Sequence, residues 1–309
     1  MEQTIRIPNH MGETLVATVT CPDKIEAQLP IVIMAPGFGS KRRNSTNVRL
    51  TNDLVPRGIA TLMLDLSGHG ESEGDIAQQT LSKATSEIAC VVDAVRRMEW
   101  VDTDRVALAG NSFSGNAMLL YSATDSHIRA IALRSPITNY KEVRERQLGE
   151  DIRKWQQQGY IAVSGSINSS YQFYEDAAQI NTYAAIPRIK APILVVQGDH
   201  DEDIPMSHVA QLGEALNDDK DRLFIIPGAD HGYTQPEHFN RMISLIEEFL
   251  IAELLPDKSA NKANGTLRNE PLYPNLHTHE SLLKEERPLH NPNTVIAQNV
   301  SWYNTYQGA

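Results

Sequence analysis

The fold is indicated most strongly by one stretch, Arg105-Val106-Ala107-Leu108-Ala109-Gly110-Asn111-Ser112-Phe113-Ser114-Gly115. Its apolar part, Arg105–Ala109, predicts a strand, and the residues after Ser112 predict a helix. A direct passage from strand to helix needs a sharp turn, which lifts the Ser112 hydroxyl above the sheet and requires small neighbours such as Gly110. Ser114 offers a second hydroxyl nearby, but it falls on the predicted helix. Ser112 is therefore the candidate nucleophile.

Similar apolar segments occur on both sides of this stretch, with helical stretches between most of them. These further predicted strands are Ile31–Met34, Ala60–Leu66, Ile128–Leu133, Ile193–Val196 and Arg222–Ile226. The alternation predicts an α/β fold with a mostly parallel sheet and helices on both faces. Apolar residues at helical spacing in Thr80–Arg97 and Met242–Leu254 predict two of those helices. Thr4–Ile7 and Leu15–Thr20 flank a turn-like cluster and predict an antiparallel hairpin at the sheet edge.

Two regions break the alternation. Residues from about 139 to 185 combine a charged helical pattern with several aromatic residues and no clear strand. They predict a helical cap insertion within a domain that spans residues 1–255. Residues 256–309 are rich in Asn, Pro, His and Thr, with too few apolar residues for a second core. We expect an extended tail or arm there, which is a candidate contact for a homo-oligomer.

Composition narrows the class of binding partner. The 309 residues are 41% apolar and 22% charged, which suits one large core, and the formal net charge is −11. An acidic chain disfavours binding to nucleic acid or to an anionic membrane, because either surface needs clustered Lys and Arg. No segment approaches the ~20 apolar residues that span a bilayer, and no apolar run follows the N-terminal charges. These features predict a cytoplasmic protein that acts on a small molecule.

A glycine-rich loop, Pro36-Gly37-Phe38-Gly39-Ser40, directly follows the strand Ile31–Met34. Acyl transfer builds negative charge on the substrate carbonyl oxygen, and two backbone N–H groups aimed at that oxygen stabilise it. The turn at Ser112 would supply the N–H of Phe113, and the glycine-rich loop would supply the N–H of Phe38. The two groups are the predicted oxyanion hole.

An acid and a base follow late in the chain. The apolar run Ile193–Val196 ends in an acidic loop that contains Asp199, Asp201 and Asp203, and a carboxylate at such a strand end can orient an imidazole. His231 lies among small residues after the last predicted strand, where a general base can reach the nucleophile. The position of the three aspartates alone leaves the identity of the acid open.

Taken together, these motifs resemble the α/β-hydrolase superfamily. A fifth match is similar to that family's D-x-x-G-x-G-x-S loop: Asp65-Leu66-Ser67-Gly68-His69-Gly70-Glu71-Ser72. The resemblance covers about Thr4 to Leu254, and the chain departs from the pattern G-x-S-x-G by having Ser114 in place of the last glycine. Within the superfamily, the chain resembles acyl esterases of the cinnamoyl/feruloyl type and serine-aminopeptidase-like hydrolases.

The resemblance implies an eight-stranded α/β-hydrolase sheet and a catalytic triad. It assigns Ser112 as nucleophile, His231 as base and Asp201 as acid, since Asp201 fits the family spacing G-x-x-D-x-x-apolar-P. The implied activity is hydrolysis of a carboxylic ester through an acyl-enzyme. The same residues would serve a peptidase, a thioesterase or an acyltransferase, and a non-catalytic ligand-binding protein of this fold is the rival from another class. No metal or organic cofactor is expected, because no His/Cys/Asp cluster has ligand spacing.

The substrate pocket is predicted in the insertion. Five aromatic residues are concentrated there in a chain that is 6% aromatic: Trp155, Tyr160, Tyr171, Phe173 and Tyr174. They either line an acyl pocket or form a small core of the insertion itself. Lys41-Arg42-Arg43 follow the glycine-rich loop and either meet an anion at the site mouth or form a solvated helix start.

Overall fold

The structure is a computed structural model that describes residues 1–164, 167–217 and 219–255. Its strands are β1 (Glu2–Pro8), β2 (Thr14–Thr20), β3 (Leu29–Ala35), β4 (Ala60–Asp65), β5 (Val101–Asn111), β6 (Ala130–Arg134), β7 (Tyr160–Ser164), β8 (Ile167–Ser170), β9 (Ile193–Gly198) and β10 (Arg222–Ile226). Its α-helices are α1 (Ser45–Leu54), α2 (Leu81–Arg96), α3 (Phe113–Ser122), α4 (Tyr140–Leu148), α5 (Asp151–Gln158), α6 (Tyr171–Ala178), α7 (Thr182–Ala185), α8 (Met206–Ala215) and α9 (Pro236–Leu254). Three 3₁₀ turns cover Val55–Arg57, Ile76–Gln78 and Ile186–Arg188.

Eight strands form one sheet in the order β1-β2-β4-β3-β5-β6-β9-β10. The pairs β1–β2 and β2–β4 are antiparallel, and every other pair in this sheet is parallel. This topology confirms the predicted mostly parallel sheet and the antiparallel hairpin at its edge.

Both faces of the sheet are buried. Along β3, Ile31 and Ile33 pack with α2, α3 and α8, while Val32 and Met34 pack on the opposite face with α1 and α9. Alternate side chains of a strand point to opposite faces, so a strand covered on both sides reads as a continuous apolar run. The uninterrupted apolar segments of the sequence therefore predicted the central strands well.

The topology brings the motifs predicted to be catalytic to one edge of the sheet. Because β3, β5, β6, β9 and β10 are parallel, their carboxyl ends lie side by side, and ligands of open α/β sheets bind outside these ends. The glycine-rich loop follows β3, Ser112 follows β5, Asp201 follows β9 and His231 follows β10. Residues far apart in the sequence thus meet above the sheet.

The segment between β6 and β9 contains α4, α5, α6 and α7, and also a two-stranded antiparallel sheet of β7 and β8. The prediction that this insertion lacks a strand was therefore wrong. Tyr160–Ser164 contains Tyr, Ile and Val, which suit a pleated strand, but the run is too short to stand out from its polar surroundings.

The predicted arm lies outside the described residues. Helix α9 ends at Leu254, one residue before the end of the described chain, so the domain boundary near residue 255 and the arm's contacts stay predictions. No helix in the described part of the chain is long and apolar enough to cross a bilayer.

Candidate active site

Ser112 occupies a strained turn between β5 and α3. Its backbone has φ 52° and ψ −106°, a conformation that non-glycine residues rarely adopt. The Ser112 N–H donates to the carbonyl of Arg134 on β6, 2.9 Å away, which helps to hold the turn. A Cβ on Gly110 would lie 2.7 Å from the Gly115 Cα, so strand and helix cross too closely for a side chain there. Such strain is typical of functional sites.

The second hydroxyl of the turn is engaged in the backbone. Ser114 is buried, and its Oγ donates to the carbonyl of Ala35 at 2.8 Å and accepts from the N–H of Asn111 at 3.0 Å. These bonds tie the start of α3 to β3 and β5. The Ser114 hydroxyl is therefore bound to the backbone, whereas the Ser112 hydroxyl faces His231, so Ser112 remains the candidate nucleophile.

Ser112, His231 and Asp201 form a continuous chain of hydrogen bonds. The Ser112 Oγ lies 3.2 Å from His231 Nε2, and His231 Nδ1 lies 2.8 Å from Asp201 Oδ2. With Nδ1 carrying the proton, the imidazole donates to Asp201 and its Nε2 accepts from the Ser112 hydroxyl. The structure thus brings together the three residues that the sequence singled out.

Of the three aspartates, Asp201 is the best placed to orient the His231 imidazole. It is buried and accepts from the Gln197 amide at 2.7 Å and from the N–H groups of Asp203 and Ile204 at 2.9 and 3.0 Å. Burial raises the pKa of Asp201, but His231 and these donors outweigh it, so the pKa is held below its usual value. Asp199 instead accepts from the Gly228 N–H, 2.6 Å away, and supports the loop that carries His231.

His231 is held from its other side by Arg134. The guanidinium of Arg134 donates to the His231 carbonyl at 2.9 Å and lies over the Tyr233 ring. Burial lowers the pKa of His231, and Asp201 raises it by charge and hydrogen bonding; the balance places the pKa above its ordinary value of 6.5. Sequence reasoning missed Arg134, whose position at the end of β6 was the available signal.

The glycine-rich loop is anchored by His69. The N–H of Gly39 donates to His69 Nε2 at 3.0 Å, and His69 Nδ1 lies 3.0 Å from the carbonyl of Ser67. These partners require the neutral imidazole with its proton on Nδ1. Burial lowers the pKa of His69, which favours that neutral form. The backbone on either side of Gly39 is thereby fixed, including the neighbouring Phe38.

The loop Asp65–Ser72 encloses a buried ion pair. Arg42 contacts the Asp65 carboxylate and pairs with Glu71 at 3.0 Å. A Cβ on Gly70 would lie 2.1 Å from an Asp65 oxygen, which accounts for the glycine at that place in the motif. Arg43 pairs with Glu2 at the surface. Both interpretations of Lys41-Arg42-Arg43 were therefore incomplete, because the anion that Arg42 binds belongs to the protein itself.

Four aromatic rings pack beside Ser112. Phe173 of the insertion lies 5.9 Å from Phe38 and from Phe113, and 5.1 Å from Tyr140, measured between ring centroids. Phe113 and Phe38 are in edge contact with each other at 5.5 Å. The predicted pocket residue Phe173 is thus adjacent to both residues of the predicted oxyanion hole.

The other predicted pocket residues are placed differently. Trp155, Tyr171 and Tyr174 pack against one another, and the buried Trp155 indole donates to the Ser169 carbonyl at 2.9 Å. Tyr160 is exposed and its hydroxyl accepts from Gln78. The first three have the arrangement expected for a small core of the insertion, which was the alternative interpretation.

Two polar residues of α4 were missed by sequence reasoning. Tyr140 is buried, and Ser112 is a hydrogen-bond partner of its phenol; burial raises the phenol's pKa and this partner opposes the rise. Arg144, one turn further along, interacts electrostatically with Tyr140 and with Asp203. Their position just after β6, at the carboxyl edge of the sheet, was the signal that could have found them.

Three potential metal-binding side chains lie close together beside Ser112. In residues 1–164, 167–217 and 219–255, the acidic and imidazole groups close enough to share an ion are Asp201, Asp203 and His231, within 4.8 Å. Two of them already bind each other, and His231 Nε2 faces the Ser112 hydroxyl. A metal ion bound there would compete with the hydrogen bonds that His231 makes with Asp201 and with Ser112.

The fold and this edge of the sheet define the chain as an α/β hydrolase. The solved structure of Est1E from Butyrivibrio proteoclasticus with bound ferulic acid has the same fold, with a TM-score of 0.71 and 23% identity over 81% of this chain and 99% of that one. The chain belongs to the prolyl oligopeptidase family (Peptidase S9), whose sequence profile matches residues 47–256.

Curated proteins also match parts of the chain in sequence. The quorum-quenching protein AidA of Acinetobacter baumannii is 31% identical over 37% of this chain and 38% of its own. The mitochondrial palmitoyl-protein thioesterase ABHD10 of Rattus norvegicus is 20% identical over 74% of this chain and 77% of its own. Several curated relatives are matched over only 38% to 62% of their length.

Proposed function

We propose that the protein is a serine esterase that cleaves a carboxylic ester of a small molecule through Ser112, His231 and Asp201. The observation that carries the proposal is the unbroken hydrogen-bonded chain from the Ser112 Oγ through His231 to Asp201, at 3.2 and 2.8 Å. A general base must lie within hydrogen-bonding reach of the proton that it removes, and His231 Nε2 does so.

The first half of the proposed reaction forms an acyl-enzyme. His231 Nε2 takes the Ser112 proton while the Oγ attacks the ester carbonyl, and Asp201 stabilises the imidazolium that results. The negative carbonyl oxygen is received by the N–H groups of Phe38 and Phe113. The Phe113 N–H is at the start of α3, where backbone donors lack intrahelical acceptors. The imidazolium then returns the proton to the departing alkoxide.

Water completes the reaction in the same geometry. His231 removes a proton from a water molecule that attacks the acyl carbonyl, and the proton then passes to the Ser112 Oγ as the acid leaves. Each half-reaction uses the imidazole once as base and once as acid. The strained Ser112 backbone keeps the Oγ aimed at the same point throughout both halves.

Ester chemistry is preferred among the reactions that this triad supports. Two names support it: Est1E was solved with bound ferulic acid, a carboxylic acid of the kind that ester hydrolysis releases, and the rat relative is named a palmitoyl-protein thioesterase. The family name points to peptides, which makes amide cleavage the second candidate.

Three butyryl substrates with matched para-nitrophenyl leaving groups test this proposal: an oxygen ester, a thioester and an anilide. We expect kcat/KM for the oxygen ester to exceed that for the anilide by about 100-fold or more. A thioester preferred by more than about tenfold would favour a thioesterase, and a preferred anilide would favour a peptidase. A fluorophosphonate that fails to label the protein would contradict serine hydrolysis altogether.

The pH dependence follows from the electrostatics of His231. Only its neutral form accepts the Ser112 proton, and the pKa of His231 is raised above 6.5 by Asp201. Protonation therefore removes the base as the pH falls, and kcat/KM should decline below an inflection that lies above 6.5. Stopped-flow acylation of the butyryl ester across the neutral range measures this inflection. A rate that stays constant from about pH 5 to 9, with acylation rate-limiting, would contradict a histidine base.

A further inference from the structure

Arg144 is a partly buried cation on α4, near the proposed catalytic residues. It follows Tyr140 by four residues on α4, so the two side chains share one face of the helix. Its guanidinium lies 5.9 Å from the centroid of Phe173, the ring that contacts Phe38 and Phe113. It also interacts electrostatically with Tyr140 and Asp203. Arg144 therefore packs among residues that contact Ser112 or lie near His231.

The carboxylates of α4 contact side chains other than Arg144. Glu145 pairs with Lys141 at 2.6 Å and accepts from the Tyr174 hydroxyl at 2.7 Å. Glu142 lies 3.0 Å from His208. Neither acid reaches Arg144, although a helix commonly pairs its charges at this spacing.

The described residues give Arg144 one neutral hydrogen-bond acceptor. Its Nη1 donates to the Gln147 side chain at 2.8 Å, and its Nε has no acceptor. Asp203 is the acid that influences it, but no ion pair within 4.0 Å joins the two in the described chain; the Asp203 oxygen instead lies 4.0 Å from His231 Nε2. A guanidinium keeps its charge even when partly buried, and a buried Nε without an acceptor is a hydrogen-bonding group that a bound anion could satisfy.

We infer that Arg144 binds a carboxylate of the substrate, so that the esterase acts on esters that carry a second, free acid group. The inference rests on the proposed esterase function. A planar guanidinium with free donors matches a carboxylate in geometry and charge, and Phe173 supplies an apolar wall for the carbon chain between ester and acid. Tyr140 interacts with both Arg144 and Ser112.

Matched ester pairs test this specificity. Mono-para-nitrophenyl glutarate and its methyl ester differ in one negative charge on the acyl side, and 4-acetoxybenzoate and its methyl ester differ likewise on the leaving-group side. In the wild type we expect kcat/KM for the acid to exceed that for its methyl ester in at least one pair. Arg144→Gln should reduce that ratio by about 10- to 100-fold while the methyl esters change little, because a charge-assisted contact is lost.

Two further variants separate substrate binding from a structural role. Asp203→Asn removes the negative charge near Arg144 and should raise the acid-to-methyl-ester ratio, whereas Arg146→Gln, an exposed arginine of the same helix, should leave the ratio unchanged. If Arg144 serves only as a partner of Asp203, Arg144→Gln will affect acid and methyl ester equally in both pairs, which overturns the inference. Cleavage of the methyl esters without any wild-type preference for an acid overturns it too, while the esterase proposal survives. Loss of all wild-type turnover would instead count against the esterase itself.

Discussion

Replacing Ser112 by Ala should lower kcat for ester hydrolysis by about a thousandfold or more, because nucleophile and base act as one unit and the base alone cannot form the acyl-enzyme. The fold should persist, since the Ser112 side chain fills no core position and its backbone N–H bond to Arg134 is kept. Steady-state hydrolysis of the butyryl ester and fluorophosphonate labelling measure the effect. The wild type should be labelled and the variant should not.

Ser114→Ala is the matched control for this experiment. It removes a buried hydroxyl that bonds to the Ala35 carbonyl and the Asn111 N–H, so it should lower the melting temperature. The folded fraction should still react with the fluorophosphonate. Labelling that persists in Ser112→Ala and disappears in folded Ser114→Ala would show that Ser114, and not Ser112, is the nucleophile.

Asp201→Asn is expected to lower kcat by about 10⁴, because an amide in this place favours the wrong imidazole tautomer. The Asn Nδ2 could face His231 Nδ1 and drive its proton to Nε2, where it would block acceptance from Ser112. The loss should be measured well above the wild-type inflection, so that protonation of His231 does not contribute.

Asp203→Asn provides the comparison on a neutral ester. Its carboxylate is 37% exposed and 4.0 Å from His231 Nε2, so it affects the imidazole only through charge. We expect less than a tenfold change for the butyryl ester, since a screened, partly exposed charge contributes little. Equal losses in the Asp201 and Asp203 variants would leave the acid unassigned.

The central strands and the three proposed catalytic residues could be predicted because their signals are local. A strand buried on both faces is a continuous apolar run, and the turn at Ser112 needs small residues immediately beside it. Parallel order then places loops from distant parts of the chain at one edge. The start of α9 at Pro236, six residues before the predicted helix, was missed because its first turns are polar and carry no apolar periodicity.

Other features depend on pairing between distant side chains, which composition does not encode. Arg42 looked like a surface cation because its sequence neighbours are Lys41 and Arg43, yet it is neutralised by Asp65, twenty-three residues away. Tyr140 and Arg144 lie in a helix of mostly polar residues, and the packing of Phe173 against them shows which helix face meets the site. Which face of a mostly polar helix is buried depends on the tertiary contacts of the helix, because no apolar stripe marks that face in the sequence.

His231 and His69 give acid two separate effects on this protein. The pKa of His231 is raised above 6.5 and that of His69 is lowered below 6.5, so mild acid first charges His231 and stops turnover while the Gly39 loop stays anchored. A lower pH also affects folding. Between the lowered pKa of His69 and 6.5, the unfolded chain binds the proton more readily than the folded chain. The free energy of unfolding therefore decreases as the pH decreases through this range. Brief exposure to mild acid should therefore stop turnover reversibly, and only stronger acid should disrupt the glycine-rich loop that His69 anchors.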